Sequence, residues 1–200
     1  MFGMLNRLVR ALGYALGTGI FFVHRLRRNV EVGRRVRVFG VALIDIHSKA
    51  TLIIEDDVNL NSMARGYHLG MYGGVKLMAD RPGATISIGS NTRVHGSCIH
   101  AQDSVTIGRN CLIAAQCQII DGHGHDISAD EPANRINTIG ETAPIRIEDN
   151  VWLGTGVLVM PGVTIGEGTV IGASSVVTRD IPPGVLAVGV PAKVVRTFYP

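Results

Sequence analysis

An all-β solenoid, a parallel β-helix preceded by a short helical segment, is the fold this sequence predicts. Aliphatic residues recur at an unbroken stride of six near the C-terminus, at Ile147, Leu153, Val159, Ile165, Ile171 and Val177. Four residues after each sits a small or branched one: Val151, Val157, Val163, Thr169, Ser175 and Ile181. A period of six fits neither the roughly 3.6 of a helix nor the simple alternation of a lone strand. It fits a coil of flat sides, one hexapeptide to a side, with the aliphatic and the small residue pointing into a narrow prism. Composition agrees: hydrophobic content is 46% but aromatic content only 5%, as suits a core too slim for many rings.

The segment before the solenoid, residues 1–29, reads as a basic amphipathic helix. Leu5, Leu8, Val9, Leu12 and Leu16 fall on one side, with Arg7, Arg10 and Tyr14 opposite. An uncharged run from Ala11 to Val23 precedes His24, Arg25, Arg27 and Arg28. That run is short of the roughly 20 residues a bilayer span requires. Gly13, Gly17 and Gly19 weaken the helix. No small-x-small cleavage site follows, so a signal peptide is disfavoured. Residues 1–37 carry eight Arg and one Glu, about +7 of a chain total of +3, leaving about −4 for the rest. The asymmetry predicts an interfacial anchor, with the apolar face in the membrane and arginines near anionic headgroups. The competing expectation is a helix packed on the solenoid or on another subunit. Nucleic acid is not expected, because no aromatic residues interleave with the basic ones and no binding motif is present.

The solenoid, residues 30–200, opens with a faint run at Val32, Val38 and Ile44, then Ile54 and Leu60. Residues 61–86, with Met63, Met71, Met78 and several glycines, fall outside the register. Ile88, Val94 and His100 restore the stride; after one extra residue, Ile107, Ile113 and Ile119 continue it. Gly154, Gly166 and Gly172 directly follow repeat aliphatics and are read as corners needing φ > 0. Cys98, Cys111 and Cys117 each lie four residues after a repeat aliphatic. They read as buried small hydrophobes without zinc or disulfide spacing, as expected in a reducing cytoplasm.

The stride breaks after Ile119 and returns at Ile147, so residues 121–144 are an excursion from a rigid scaffold, the kind of insertion that carries function. It holds Asp121, His123, His125, Asp126, Arg135 and Glu141. Histidine is the natural base near neutral pH, and a carboxylate or carbonyl can fix its tautomer. This loop is the best candidate site. A solvated polar loop is the plain alternative.

Several strings carry a resemblance. They are Gly122-His-Gly-His-Asp-Ile-Ser, Ile147-Glu-Asp-Asn-Val-Trp-Leu-Gly and Met160-Pro-Gly-Val-Thr-Ile-Gly, then Ile171-Gly-Ala-Ser-Ser-Val-Val-Thr-Arg-Asp-Ile-Pro-Pro and Gly189-Val-Pro-Ala-Lys-Val-Val-Arg. In order and spacing, over residues 86–197, the chain resembles the hexapeptide-repeat acyltransferases, close to the maltose, galactoside and colanic-acid O-acetyltransferase type. The resemblance implies a left-handed β-helix and a homotrimer with each active site between two prisms. It implies acetyl-CoA as co-substrate and no metal. No side-chain nucleophile is required, so direct transfer in a ternary complex is expected. An anchor at the cytosolic membrane face would place the enzyme near lipid-linked saccharides, which suggests a polysaccharide precursor as acceptor. His125, followed by Asp126, matches the place of the catalytic histidine, with His123 as the fallback. Trp152 matches a tryptophan beside the coenzyme A arm. Thr155, Ala173, Thr178 and Arg179 match acetyl-CoA contacts, and Lys193 and Arg196 the basic pair near its adenine nucleotide end. The chain departs from the pattern at Glu148, where Gly is usual. It has no clear counterpart of the Asn and Asp that hold sugar in the galactoside enzymes; that stretch reads Val94-His-Gly-Ser-Cys-Ile-His-Ala-Gln-Asp.

The expected activity is therefore acetyl transfer to a saccharide hydroxyl, with a histidine base, by a cytoplasmic protein peripheral on the inner face of the cell membrane. N-acetylation of a nucleotide-linked amino sugar, or of a xenobiotic, is the runner-up. A different class is a zinc lyase like the gamma-class carbonic anhydrases, suggested by the H-x₄-H of His95 and His100; a non-catalytic scaffold is a third.

Overall fold

The computed structural model describes residues 2–198, with side chains from Leu8 onward except that of Arg10. The chain winds into a left-handed parallel β-helix whose strands stack into three sheets, the faces of a prism. Face 1 is β1 (Val30–Val32), β4 (Thr51–Ile54), β7 (Thr85–Ile88), β10 (Ser104–Ile107), β13 (Ile145–Ile147) and β16 (Thr164–Ile165). Face 2 is β2 (Arg37–Phe39), β5 (Asn59–Asn61), β8 (Arg93–His95), β11 (Leu112–Ile113), β14 (Trp152–Leu153), β17 (Val170–Ile171) and β19 (Val185–Val188). It closes with β20 (Lys193–Thr197), its one antiparallel strand. Face 3 is β3 (Leu43–Ile46), β6 (Lys76–Ala79), β9 (Cys98–Ala101), β12 (Gln118–Ile120), β15 (Leu158–Val159) and β18 (Val176–Val177). The chain visits the faces in the order 1, 2, 3, so each strand pairs with one a full coil away.

The stride of six is the burial pattern. Ile147, Leu153, Val159, Ile165, Ile171 and Val177 are all buried, as are the residues four further on, Val151 through Ile181. Two polar residues in that second series, Thr169 and Ser175, are fully buried and hydrogen-bonded: Thr169 Oγ1 donates to the Pro182 carbonyl at 2.7 Å, and Ser175 Oγ accepts from the Gly189 N–H at 3.0 Å.

Three details of the register correct the sequence reading. First, positive φ falls three residues after the aliphatic, at Asn150, Gly156, Gly162, Gly168 and Ser174. Gly154, Gly166 and Gly172 instead permit coils to approach closely: a Cβ on Gly154 would lie 2.6 Å from the Ala173 nitrogen. Second, Ile99 and not His100 points inward on β9; His100 faces outward, 3.1 Å from Asp80. Third, the same shift turns Cys98 outward to a half-buried position, and Ser97 takes the inward place. Cys111 and Cys117 are buried as expected, and burial pushes both thiols up to about 11, so they are inert at neutral pH.

The irregular stretch has a physical cause. Residues 62–75 leave the prism at the corner between faces 2 and 3 and return at β6, a second excursion in addition to that at 121–144, which leaves at the corner between faces 3 and 1. Loops that project from corners cost the stacked core nothing, which is why a solenoid accepts them.

The N-terminal helix α1 (Phe2–His24) lies across the first coil. Its glycines are contact points: a Cβ on Gly17 would collide with the carbonyl oxygens of Gly40 and Val38, and one on Gly13 with Met63. The Gly40 N–H donates to the Gly13 carbonyl at 3.0 Å. Phe21 is buried, and Tyr14 packs on Phe39 with ring centroids 5.3 Å apart. After the helix, Asn29 donates to the carbonyls of His47 and Ala50. The helix thus covers the open first coil, whose apolar interior would otherwise face water. The opposite side, carrying Leu8, Leu12, Leu16, Phe22 and Val23, is exposed. The side chains of Leu5, Arg7 and Arg10 lie outside the described residues. Two of the eight N-terminal arginines are spoken for: Arg34 pairs with Asp56 and Arg35 with Asp57. These exposed pairs add little stability, but they reduce the cationic surface the sequence suggests.

Candidate active site

The 121–144 excursion is held at its base by a buried carboxylate. Asp121 is fully buried, and its oxygens accept the backbone N–H groups of Gln102 at 2.7 Å and Asp103 at 2.9 Å. Its own carbonyl accepts from Ala143 at 2.8 Å, closing the neck of the loop. Asp121 therefore positions the loop and is no part of the reactive surface, a correction to its grouping with the histidines. Beyond the neck, His123 N–H donates to the Glu141 carbonyl and Gly140 N–H to the Gly124 carbonyl. The side chains of His123, His125, Asp126, Ile127 and Glu141 line a depression of about 390 Å³.

His125 has a fixed ring. Its Nδ1 lies 3.2 Å from the Thr138 carbonyl oxygen, which can only accept, so Nδ1 carries the proton and Nε2 is left with its lone pair. Thr138 is itself anchored: its hydroxyl donates to the Arg135 carbonyl at 2.8 Å and accepts from the Asp126 N–H at 2.9 Å. The Asp126 carboxylate is engaged by the N–H and hydroxyl of Ser128. Arg135 Nε donates to the Ile127 carbonyl. A 3-10 turn, Pro132–Asn137, delivers Arg135 and Thr138 to these contacts. Among the described residues, the His123 ring makes no hydrogen bond.

The other sequence-predicted residues lie elsewhere on the prism. Trp152, Thr155 and Ala173 line one cavity of about 530 Å³ on face 2, together with Tyr67, His68, Arg93 and His95. Trp152 is half exposed, as expected of a ring too large for the prism. Lys193 and Arg196 are exposed on β20, at the end of the same face. Thr178 and Arg179 are exposed at the corner between faces 3 and 1, the corner from which the histidine loop departs two coils earlier. One chain therefore presents two half-sites: a histidine loop at one corner and an aromatic cavity across the prism. Sequence reasoning missed Tyr67, His68, Arg93 and His95 as cavity residues. The only signal was the irregular spacing of residues 61–86, which marks a loop but not what it covers.

His95 and His100, the spacing that suggested a zinc site, diverge. His95 sits at the corner of face 2 near Asn61 and Tyr67, and His100 faces Asp80 on face 3. Among the described residues of one chain, no three metal-ligating side chains converge.

The repeat and the site have counterparts in known proteins. Residues 144–179 match the model of the bacterial transferase hexapeptide, six repeats, and residues 85–117 that of the hexapeptide repeat of succinyl-transferase. The galactoside O-acetyltransferase of Escherichia coli K12 is 43% identical over 118 residues, 57% of this chain and 55% of that protein. Over these stretches the chain carries the hexapeptide repeat of bacterial transferases and is similar to the hexapeptide-repeat acyltransferases. A solved galactoside acetyltransferase in complex with coenzyme A aligns with TM-score 0.52 and 43% identity over 56% of this chain and 55% of that one. The maltose O-acetyltransferase of Clostridium difficile 630 aligns with TM-score 0.52 and 27% identity over 88% of this chain and 73% of that one. The chain spans about half the length of the curated relatives it matches.

Proposed function

We propose that this protein transfers the acetyl group of acetyl-CoA to a hydroxyl of a sugar or polysaccharide precursor, with His125 as general base. The observation that carries the reading is the exposed His125 ring, whose Nδ1–H is tied to the Thr138 carbonyl, which leaves Nε2 with its lone pair. Nε2 takes the proton of the acceptor hydroxyl as its oxygen attacks the thioester carbonyl. The tetrahedral oxyanion is stabilised by backbone N–H groups and collapses with loss of the coenzyme A thiolate. No side-chain nucleophile is needed, so transfer is direct, in a ternary complex.

The two half-sites of one chain face different corners, so a complete site requires a second chain. A trimer of parallel prisms sets the histidine loop of one protomer against the face-2 cavity of the next. Trp152, Thr155 and Ala173 then flank the pantetheine arm, while Thr178, Arg179, Lys193 and Arg196 contact the coenzyme, the cations complementing its phosphates. The test is an acetyl-CoA turnover screen over sugar hydroxyl and amino acceptors. Release of thiol that depends on a sugar hydroxyl supports the reading; transfer only to amines overturns the O-acetylation. Trp152 is the only tryptophan, so its emission reports coenzyme binding directly. Acetyl-CoA is expected to change that emission, and Trp152→Ala to raise the KM for acetyl-CoA about tenfold, the loss of one aromatic anchor. An unchanged KM would remove Trp152 from the coenzyme site.

The reading extends to the surface of a membrane. The outward side of α1 shows Leu8, Leu12, Leu16, Ile20, Phe22 and Val23 to solvent, and Leu26 follows. Arg25 and Arg28, both exposed, lie at its C-terminal end. No helix among the described residues is long and apolar enough to cross a membrane. An apolar stripe with arginines beside it fits the interface of an anionic bilayer. Such a contact would place the enzyme at the cytosolic face, near lipid-linked saccharides. The protein is expected to co-sediment with vesicles containing anionic lipid, less so at high salt. Leu12→Asp/Leu16→Asp is expected to abolish co-sedimentation without unfolding, because both side chains are already in water. Equal binding by the variant would reject the contact; a loss of trimer instead would make the stripe a subunit interface.

A further inference from the structure

The face-2 cavity extends well beyond the positions that the coenzyme reading uses. Its upper end is built by the 62–75 excursion, and this loop is firmly held. Ser62 N–H donates to the Phe39 carbonyl at 2.7 Å, Val75 N–H to Ser62 Oγ at 2.9 Å, and Gln116 Nε2 reaches across to the Gly70 carbonyl at 2.8 Å. Tyr67, carried on this loop, stacks on His95 with ring centroids 4.7 Å apart and planes 25° apart. The two rings form one wall of the cavity, with His68 beside them at 4.5 Å from Tyr67. Trp152 on β14 is in register with Arg93 on β8, two strand steps or about 10 Å away at the usual strand spacing, and His95 lies two residues further along β8. The cavity is thus bounded by aromatic rings at both ends.

His95 is built for a role opposite to that of His125. Asn61 Oδ1 accepts the Met63 N–H at 3.0 Å, which turns the amide nitrogen of Asn61 toward His95, 3.3 Å from Nδ1. With Nδ1 accepting, Nε2 carries the proton. Burial, with help from Arg93 and His68, lowers the ring to about 4, so it is neutral at physiological pH. His95 is a neutral hydrogen-bond donor held in place, whereas His125 presents a bare ring nitrogen.

We propose that Tyr67, His95 and the 62–75 loop form the acceptor-binding end of this cavity, and that they take a sugar ring. The proposal rests on the acetyl-transfer reading for what the other end holds. A pyranose has an apolar face of C–H groups and a rim of hydroxyls. Aromatic walls meet the face, and a fixed neutral donor meets a hydroxyl, the usual division of labour in a small-molecule site. This arrangement supplies what the missing Asn and Asp would otherwise provide. The volume of about 530 Å³ accommodates a monosaccharide beside the acyl end of a thioester.

Binding is measured without catalysis, as the change in Trp152 emission when methyl glycosides are titrated into the full-length protein already saturated with coenzyme A. At least one methyl glycoside is expected to bind. Tyr67→Ala is expected to weaken that binding at least tenfold, Tyr67→Phe less than threefold because the ring stack survives, and His95→Ala at least fivefold. Coenzyme A affinity should change less than twofold in all three. If no glycoside binds the wild-type protein, or if Tyr67→Ala weakens coenzyme A instead, the proposal is overturned. If glycosides bind as described but no sugar is acetylated, the acetyl-transfer reading fails and the sugar site stands. Should Tyr67→Ala not fold, the Phe and His95 variants still decide the question.

Discussion

His125→Ala is expected to lower turnover by about 10²–10⁴, the range for removing a general base, while affinity for acetyl-CoA stays nearly unchanged. The reason lies in the split between half-sites. His125 belongs to the corner loop, and the residues assigned to the coenzyme's pantetheine arm line face 2. His123→Ala should have a small effect, because among the described residues its ring has no partner to fix a tautomer, whereas Thr138 fixes that of His125. Steady-state kinetics with varied acetyl-CoA and acceptor distinguishes the two. A crippled His123→Ala beside a mild His125→Ala would reverse the assignment; two mild variants would remove the loop from the chemistry. Thr138→Val gives an independent check on positioning. It keeps the carbonyl that holds Nδ1 but loses the hydroxyl that braces Asp126 and the Arg135 carbonyl. It should lower kcat with little change in either KM.

Asp121→Ala is expected to destabilise the fold by about 3 kcal/mol. The substitution strands two buried backbone N–H groups, those of Gln102 and Asp103, each costing roughly 1–3 kcal/mol when left unsatisfied. For a chain of this size that corresponds to a fall in Tm of about 6–12 °C. Asp121→Asn keeps one acceptor oxygen and should cost about half as much. Thermal unfolding at matched protein concentration checks both, concentration being fixed because assembly adds to apparent stability. An Asp121→Ala variant as stable as wild type, but inactive, would return this carboxylate to the reactive surface.

How much of this was legible beforehand differs by level. The coil core was readable residue by residue from Ile107 onward, because burial in a solenoid repeats locally and each coil meets only its neighbours. At β9 the reading slipped by one. His100 continued the arithmetic of the stride, but Ile99 is the better hydrophobe, and the corner at Gly96–Ser97 is one residue shorter. The glycines after the aliphatics were identified as special for the wrong reason. Their need is close approach between coils, which arises only once the coils are stacked; the positive φ values fall on the Asn, Gly and Ser two residues further on. Gly13, Gly17 and Gly19 looked like helix breakers, yet two of them are where α1 meets the first coil.

By itself, the sequence determined the solenoid, the place of the histidine excursion and the outward setting of Trp152. A six-residue period of burial is a property of neighbouring residues, and a break in it is visible wherever it falls. Only the tertiary structure decided which residues share a cavity and in what state. The Gln116 to Gly70 hydrogen bond spans 46 positions, and the Tyr67 stack on His95 joins two separate coils. The opposite tautomers of His125 and His95 follow from one carbonyl and one amide supplied from 13 and 34 residues away. Such pairings depend on how coils and loops are superposed in space, and no local pattern in the chain encodes them.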